Sequence, residues 1–448
     1  MTLSRRHFLA LSGATALAPA LAGCGAGPDG TGDIQLWYSF SDQQQQNYFQ
    51  RTQVDAFRGS AAVQLTVKPS SVINRLTQTA LAAGTGPDLV LTDGPAQVAA
   101  YASAGYVLPL EKYAQQYGWD VLAPWAMAAS QVGGQLVSLP SGYETMIMLY
   151  NPATLAAHGW SVPTERGEFE AICAEAKAKG LMPVAAGNAT WRAASEWAVT
   201  AALNHYAGPE AVYQALRGQI RWTDAIFVDT ITLLSDYFQR GWWGGSVENY
   251  FTNSFPKLYA ALASGAAVFM ITGSWAFSEI LPYFGEPAGN DARWDWAPLF
   301  PLRPEVPAAV WDLGIGQTLS INAHSRQPDA AAEYLNFLET DPRRQAEGIA
   351  EAGLQPAPVQ LSGGDFPPGA DERQSRLYVQ LSNAVTIGYT TWTFWPQETD
   401  TELYTNFEKV FTGRLSAEEY LAGLDVVFRR ELALGKVPAA PPPQGLAR

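Results

Sequence analysis

Cysteine is almost absent: Cys24 and Cys173 are the only two in 448 residues. Two thiols exclude a disulfide scaffold and any multi-cysteine metal site. Histidine is nearly as scarce, with four. None lies in an HExxH pattern or has a second ligand at metal spacing, so neither a metal nor a cofactor is expected. Basic residues are in deficit: 28 Lys and Arg against 42 Asp and Glu, a net charge of −14, with a pI near 4.8. That balance argues against nucleic acid, whose phosphates need a surplus of cations, and against a polybasic membrane patch. A GxSxG elbow and a P-loop ending are also missing, and Gly314-Ile315-Gly316 is an isolated Gly-x-Gly inside an apolar run. Charged residues make up only 16% and apolar residues 47%, which is globular rather than disordered composition. The length suits two or three domains of ordinary size. Tryptophan, by contrast, is abundant: 15, beside 19 Tyr and 19 Phe. A fold needs fewer flat indoles than this, so some are expected to serve a ligand.

Residues 1–24 read as an address label rather than as part of the fold. Ser4-Arg5-Arg6-His7-Phe8-Leu9 is a twin-arginine pattern, and the apolar stretch after it is interrupted by Ser12, Gly13 and Pro19. A bilayer span needs about 20 apolar residues. Leu21-Ala22-Gly23-Cys24 is a lipobox, the pattern for cleavage at the cysteine and lipid attachment to it. The mature chain is therefore expected outside the cytoplasm, anchored to the cell membrane through Cys24, with 25–32 as a flexible tether. Cys173 shares a helical face with Phe169, Ile172 and Ala176 and reads as a buried small hydrophobe.

The mature chain opens as strand, helix, strand, helix, strand: strands at Ile34–Tyr38, Val63–Val67 and Asp88–Leu91, helices over Gln43–Phe57 and Val72–Ala83. This is the pattern of a parallel sheet with helical crossovers. Ligands bind such sheets beyond the carboxyl ends of the strands, here Ser39–Asp42 and Thr92–Gly94. From Pro152 to about Tyr259 the pattern is mostly helical. Strands follow at 267–271 and 313–321, and helices at 329–339, 372–383, 399–411 and 416–434, the last begun by the capping box Ser416-Ala417-Glu418-Glu419. Pro438 to Arg448 reads as a surface extension.

Five motifs then occur in one order: Gly84-Thr85-Gly86-Pro87-Asp88, Gly105-Tyr106-Val107-Leu108-Pro109-Leu110, Gly134 to Pro140, Met148-Leu149-Tyr150-Asn151, and Gly265 to Met270 followed by Gly273-Ser274-Trp275. In this the chain resembles the extracellular solute-binding proteins of carbohydrate ABC importers (family 1), the group that includes maltose-binding protein. Ser138, Phe269 and Glu165 depart from the family pattern, at positions that concern packing more than binding. The resemblance implies an α/β fold of the type II periplasmic-binding-protein kind: two lobes joined by a hinge, with the ligand cleft between them. It places 33–149 and 312–357 in the first lobe, 150–311 and 358–435 in the second, and leaves 436–448 as a Pro-rich tail. It implies a monomer without catalysis or cofactor that captures a mono- or oligosaccharide and delivers it to permease subunits. A glycerophosphodiester-binding protein of the same fold and a secreted glycoside hydrolase, which needs only two carboxylates, are the alternatives.

A sugar ring presents apolar faces and a hydroxyl edge, so its site needs flat aromatics and hydrogen-bonding side chains. Trp275 matches the family's stacking tryptophan, with Gly273 before it allowing a tight bend. Trp191 lies in a polar loop. Trp392 and Trp395 resemble a C-terminal aromatic segment, one of which is expected at the ligand. Trp311 lies at the expected hinge. For the hydroxyls, Asp42 and Asp93 follow strand ends, though both also suit helix N-caps. Ser41 is beside the first of them, and Tyr143-Glu144 occupies the expected crossover.

Overall fold

The computed structural model describes residues 32–443. The leader, Cys24 and all but the last residue of the tether lie outside the described residues, as do 444–448. Strands β1 (Ile34–Tyr38), β2 (Val63–Val67) and β3 (Leu89–Thr92) form the expected parallel unit, β1 pairing with both neighbours. The helices Gln43–Phe49 and Ser70–Ala82 cross between them. The first is shorter than its sequence pattern and passes into a π-helical turn over Gln50–Val54. Strands β4 (Gln131–Val132) and β5 (Gln135–Leu136) make a small separate ladder around Gly133-Gly134, both at positive φ as such a turn requires.

The remaining strands are β6 (Leu139–Tyr150), β7 (Met182–Val184), β8 (Ala267–Gly273), β9 (Asp295–Ala297), β10 (Val310–Ile321) and β11 (Thr386–Tyr389). Among the described residues nine strands join in one sheet, ordered β2-β1-β3-β10-β6-β8-β7, with β11 on β10 and β9 on β6. Two long antiparallel strands, β6 and β10, organise it. Thr318–Ile321 of β10 pairs with β3, while Val310–Leu313 pairs with β11. β6 pairs with β10 from Leu139 to Thr145, then with β8 from Met146 onward and with β9 from Met148. Each strand thus serves the β2-β1-β3 sheet at one end and a second group of elements at the other. The result is a two-lobed α/β molecule.

Gly314-Ile315-Gly316 lies where these lobes meet. A Cβ on Gly314 would fall 1.4 Å from Thr390 Oγ1, and one on Gly316 2.6 Å from Glu144 Oε2. The glycines are there because neighbouring side chains cross the strand at those points. Cys173 is fully buried in the helix Arg166–Ala178 with Phe169, Ile172 and Ala176, and burial pushes its thiol well up. The final helices, Gln397–Phe411 and Ala417–Ala433, pack against the helix Ala225–Gln239. The start of the tail is not the free extension its composition suggests. Pro438 and Pro441 are buried, Tyr389 Oη donates to the Pro441 carbonyl at 2.6 Å, and Ile387 N to that of Pro443 at 3.4 Å. No helix among the described residues is long and apolar enough to cross a membrane.

Candidate ligand-binding site

A cavity of about 290 Å³ opens between the lobes. From the first lobe Ser39, Phe40 and Ser41, beyond the carboxyl end of β1, line it with Asp93 beyond β3. This is where a parallel sheet presents its ligand site. The second lobe contributes Trp275, Ser278 and Glu279, the last two on the short helix Ala276–Ile280.

The position of Trp275 follows from its neighbour two residues back. A Cβ on Gly273 would lie 1.8 Å from Trp275 Cζ3, so the indole folds across the end of β8 only because residue 273 has no side chain. Trp275 starts a row of indoles. Trp392 stands edge-on to it at 6.0 Å between ring centres, Trp197 lies at 5.2 Å from it, and Trp191 is 5.4 Å from Trp197. Trp191, at 42% exposure, ends the row in solvent.

Carboxyl groups lie in the cavity wall and next to it. Trp392 Nε1 donates to Glu144 Oε1 at 3.1 Å and Gln355 Nε2 to Oε2 at 3.0 Å. Glu144 is buried, and desolvation pushes its pKa up to about 7. Glu339, 1% exposed at the end of the helix Pro328–Glu339, accepts a 2.6 Å bond from Ser141 Oγ. Burial raises its pKa to about 8. Glu279 accepts from Tyr259 Oη and Asp93 from Asn74 Nδ2, and desolvation raises both pKa values. Asp93 is exposed to the cleft, yet the concave wall around it removes enough water to act in this direction.

Of the residues singled out from sequence, Trp275, Asp93 and Ser41 line the cavity; Trp392 and Glu144 do not line it but adjoin it through Trp275 and Gln355, with Gly273 against the Trp275 ring and Trp191 at the end of the row. The others lie elsewhere. Asp42 is an N-cap, its Oδ1 accepting from Gln45 N at 2.9 Å. Tyr143, next to Glu144 on β6, points to the opposite face as strand geometry demands and packs on Trp125 and Tyr378. Trp311 is buried against Trp296. Trp395, 2% exposed, stands edge-on to Trp222 at 5.4 Å in the core. Each of these aromatics fills interior volume instead of facing the cleft. Sequence reasoning missed Glu279, Glu339 and Gln355. Glu279 carried a usable signal, four residues after Trp275 at helical spacing; Glu339 and Gln355 are brought in by tertiary folding alone. Among the described residues no group of three or more His, Cys, Asp or Glu could hold a metal ion.

Residues 52–361 match the profile of the bacterial extracellular solute-binding protein family. A probable sugar-binding periplasmic protein of Mesorhizobium japonicum (strain LMG 29417 / CECT 9101 / MAFF 303099) is 25% identical over 221 residues, 44% of this chain. The match spans half the length of that relative. Among solved structures, a chitin oligosaccharide binding protein superposes with a TM-score of 0.73 at 19% identity, covering 89% of this chain and 98% of its own. The sugar-binding protein MalE of Xanthomonas citri gives 0.69 at 19% identity, over 90% and 98%. At such identities the likeness is one of fold.

Proposed function

The chain belongs to the bacterial extracellular solute-binding protein family, and from that premise we propose that it captures a carbohydrate in the interlobe cleft and delivers it to the permease of an ABC importer. The observation that carries this reading is the row of indoles set beside hydrogen-bonded carboxyls. Flat apolar surface and convergent acceptors are what the face and edge of a pyranose need. Trp275 and Trp392 would stack, Trp191 would extend the contact outward, and Asp93, Glu144 and Ser41 would meet hydroxyls. The lobes are assigned to 33–149 with 312–357, and 150–311 with 358–435. Relatives named for sugar binding support the ligand class.

A glycerophosphodiester is disfavoured. Arg344 is the only cation lining the cavity among the described residues, and Arg192, beside Trp191, is paired with Glu408. Hydrolysis is disfavoured because the family is one of solute capture. A thermal-shift screen over mono- and oligosaccharides and glycerophosphodiesters tests the reading. Binding to the folded state stabilises by about 2.7 kcal/mol at a hundredfold excess over Kd. A response confined to the phosphodiesters would replace the sugar assignment.

The leader motifs support a lipid-anchored protein exported in folded form. Cys24→Ser should move the protein from the membrane fraction to the soluble one. Unchanged fractionation would remove the anchor.

A further inference from the structure

Charge inside the cleft is unbalanced. Asp93 from the first lobe and Glu279 from the second line the cavity as carboxylates, with Glu339, held protonated up to about pH 8, also on its wall, and Arg344 is the single cation among the described residues there. That cation is only partly engaged: Nη1 donates to the Thr52 carbonyl at 3.1 Å and the guanidinium lies 3.7 Å from the ring centre of Phe337, while its buried Nε has no hydrogen-bond partner. The hydrogen-bond partners of the three carboxyls are neutral side chains, Asn74, Tyr259 and Ser141. A second observation points to a ligand that donates hydrogen bonds. Gln53, 4% exposed, lines this cavity with an Oε1 that has no hydrogen-bond partner. A buried acceptor left unpaired is costly and calls for a donor from whatever fills the space.

We infer that the cleft selects a glycan bearing a protonated amine over its neutral and anionic counterparts. This rests on the carbohydrate reading above and narrows it. A neutral hydroxyl donates to one carboxylate and leaves the repulsion among them in place. An ammonium brings three donors and a charge that offsets theirs, and it acts where exclusion of water makes Coulomb attraction several-fold stronger than in bulk. A neighbouring cation also favours the ionised form of these carboxyls, opposing the desolvation that holds their pKa values above the ordinary range. A uronate or phosphate would add like charge to a cavity that already has too much.

Matched sugar pairs test the inference. Glucose and glucosamine, galactose and galactosamine, and short β-1,4-linked glucosamine oligomers with their N-acetylated counterparts differ in charge on a shared backbone. Calorimetric titration at mildly acidic pH, where the amines are protonated, should show at least one amine member binding about tenfold or more tighter than its neutral partner. Raising salt to about 0.5 M should shrink that ratio several-fold. Glu279→Gln should lower the ratio whatever it does to the affinity for the neutral member, and Asp93→Asn supplies the same reading from the opposite lobe. Neutral members that bind as tightly as, or tighter than, their amine partners would overturn the charge selectivity while leaving carbohydrate capture intact. Silence from every sugar of both classes would overturn both.

Discussion

Trp275 stands over a residue that must have no side chain, so two substitutions should give one phenotype. Removing an aromatic anchor typically costs roughly 2 kcal/mol or more of binding, about 30-fold in Kd at about 1.4 kcal/mol per tenfold. Trp275→Ala should show that loss by calorimetry. Gly273→Ala should approach it, because the added methyl occupies the ring's position. Trp395→Ala should instead lower ligand-free stability by roughly 3–5 kcal/mol. A second residue-scale effect concerns pH. Glutamate in the unfolded chain titrates near 4.5, and Glu339 in the folded one near 8. Between those values the folded protein holds a proton that the unfolded chain has released, so its stability falls as pH rises through that window. Glu339→Gln cannot ionise. Its melting temperature should gain on the wild type from about pH 5 to pH 8, and a gap independent of pH would remove the assignment. Trp275 was legible because a strand end and a glycine precede it. The choice between Trp392 and Trp395 was not, since the 3-10 turn Thr391–Thr393 decides which indole turns toward Trp275.

Elements were legible where a periodic face or a cap is local. The opening strands and helices, the final helix and its capping box belong here. Ser416 Oγ accepts from Glu419 N at 3.1 Å, and the Glu419 carboxylate accepts from Ser416 N at 2.9 Å. Ser416→Ala should lower stability by about 1 kcal/mol, seen as a lower denaturation midpoint at unchanged slope. β6 was not legible as one strand. It is buried on both faces, which erases alternation, and it contains Pro140 and Gly142. β9 and β11 are only three and four residues long, and their pairing with β6 and β10 supplies what their sequences do not announce.

For the whole molecule, the two-lobed α/β architecture could be read from the order of the motifs. The points at which the lobes exchange strands could not. The change of partner within β6, at Thr145 and Met146, happens inside a continuous strand with no break in composition. Ligand contacts from both sides of the cavity are expected to draw the lobes together. Small-angle scattering should show a smaller radius of gyration with a saturating sugar than without it. An unchanged radius would remove the hinge motion and leave binding untouched.

The shared strands also set a timetable for synthesis. β3 ends at Thr92, but the neighbour that covers its free edge, β10, begins at Val310. At about 5–20 residues per second, the ribosome needs roughly 10–40 s to make the intervening chain. Through that interval the nascent first lobe carries exposed edges on β3 and β6, the kind of surface that pairs with other chains. A protein built this way closes its first sheet only when most of its length has been translated. A route that moved such a chain as an extended thread would make it pass through this slow closure a second time, whereas one that carried a finished body would not.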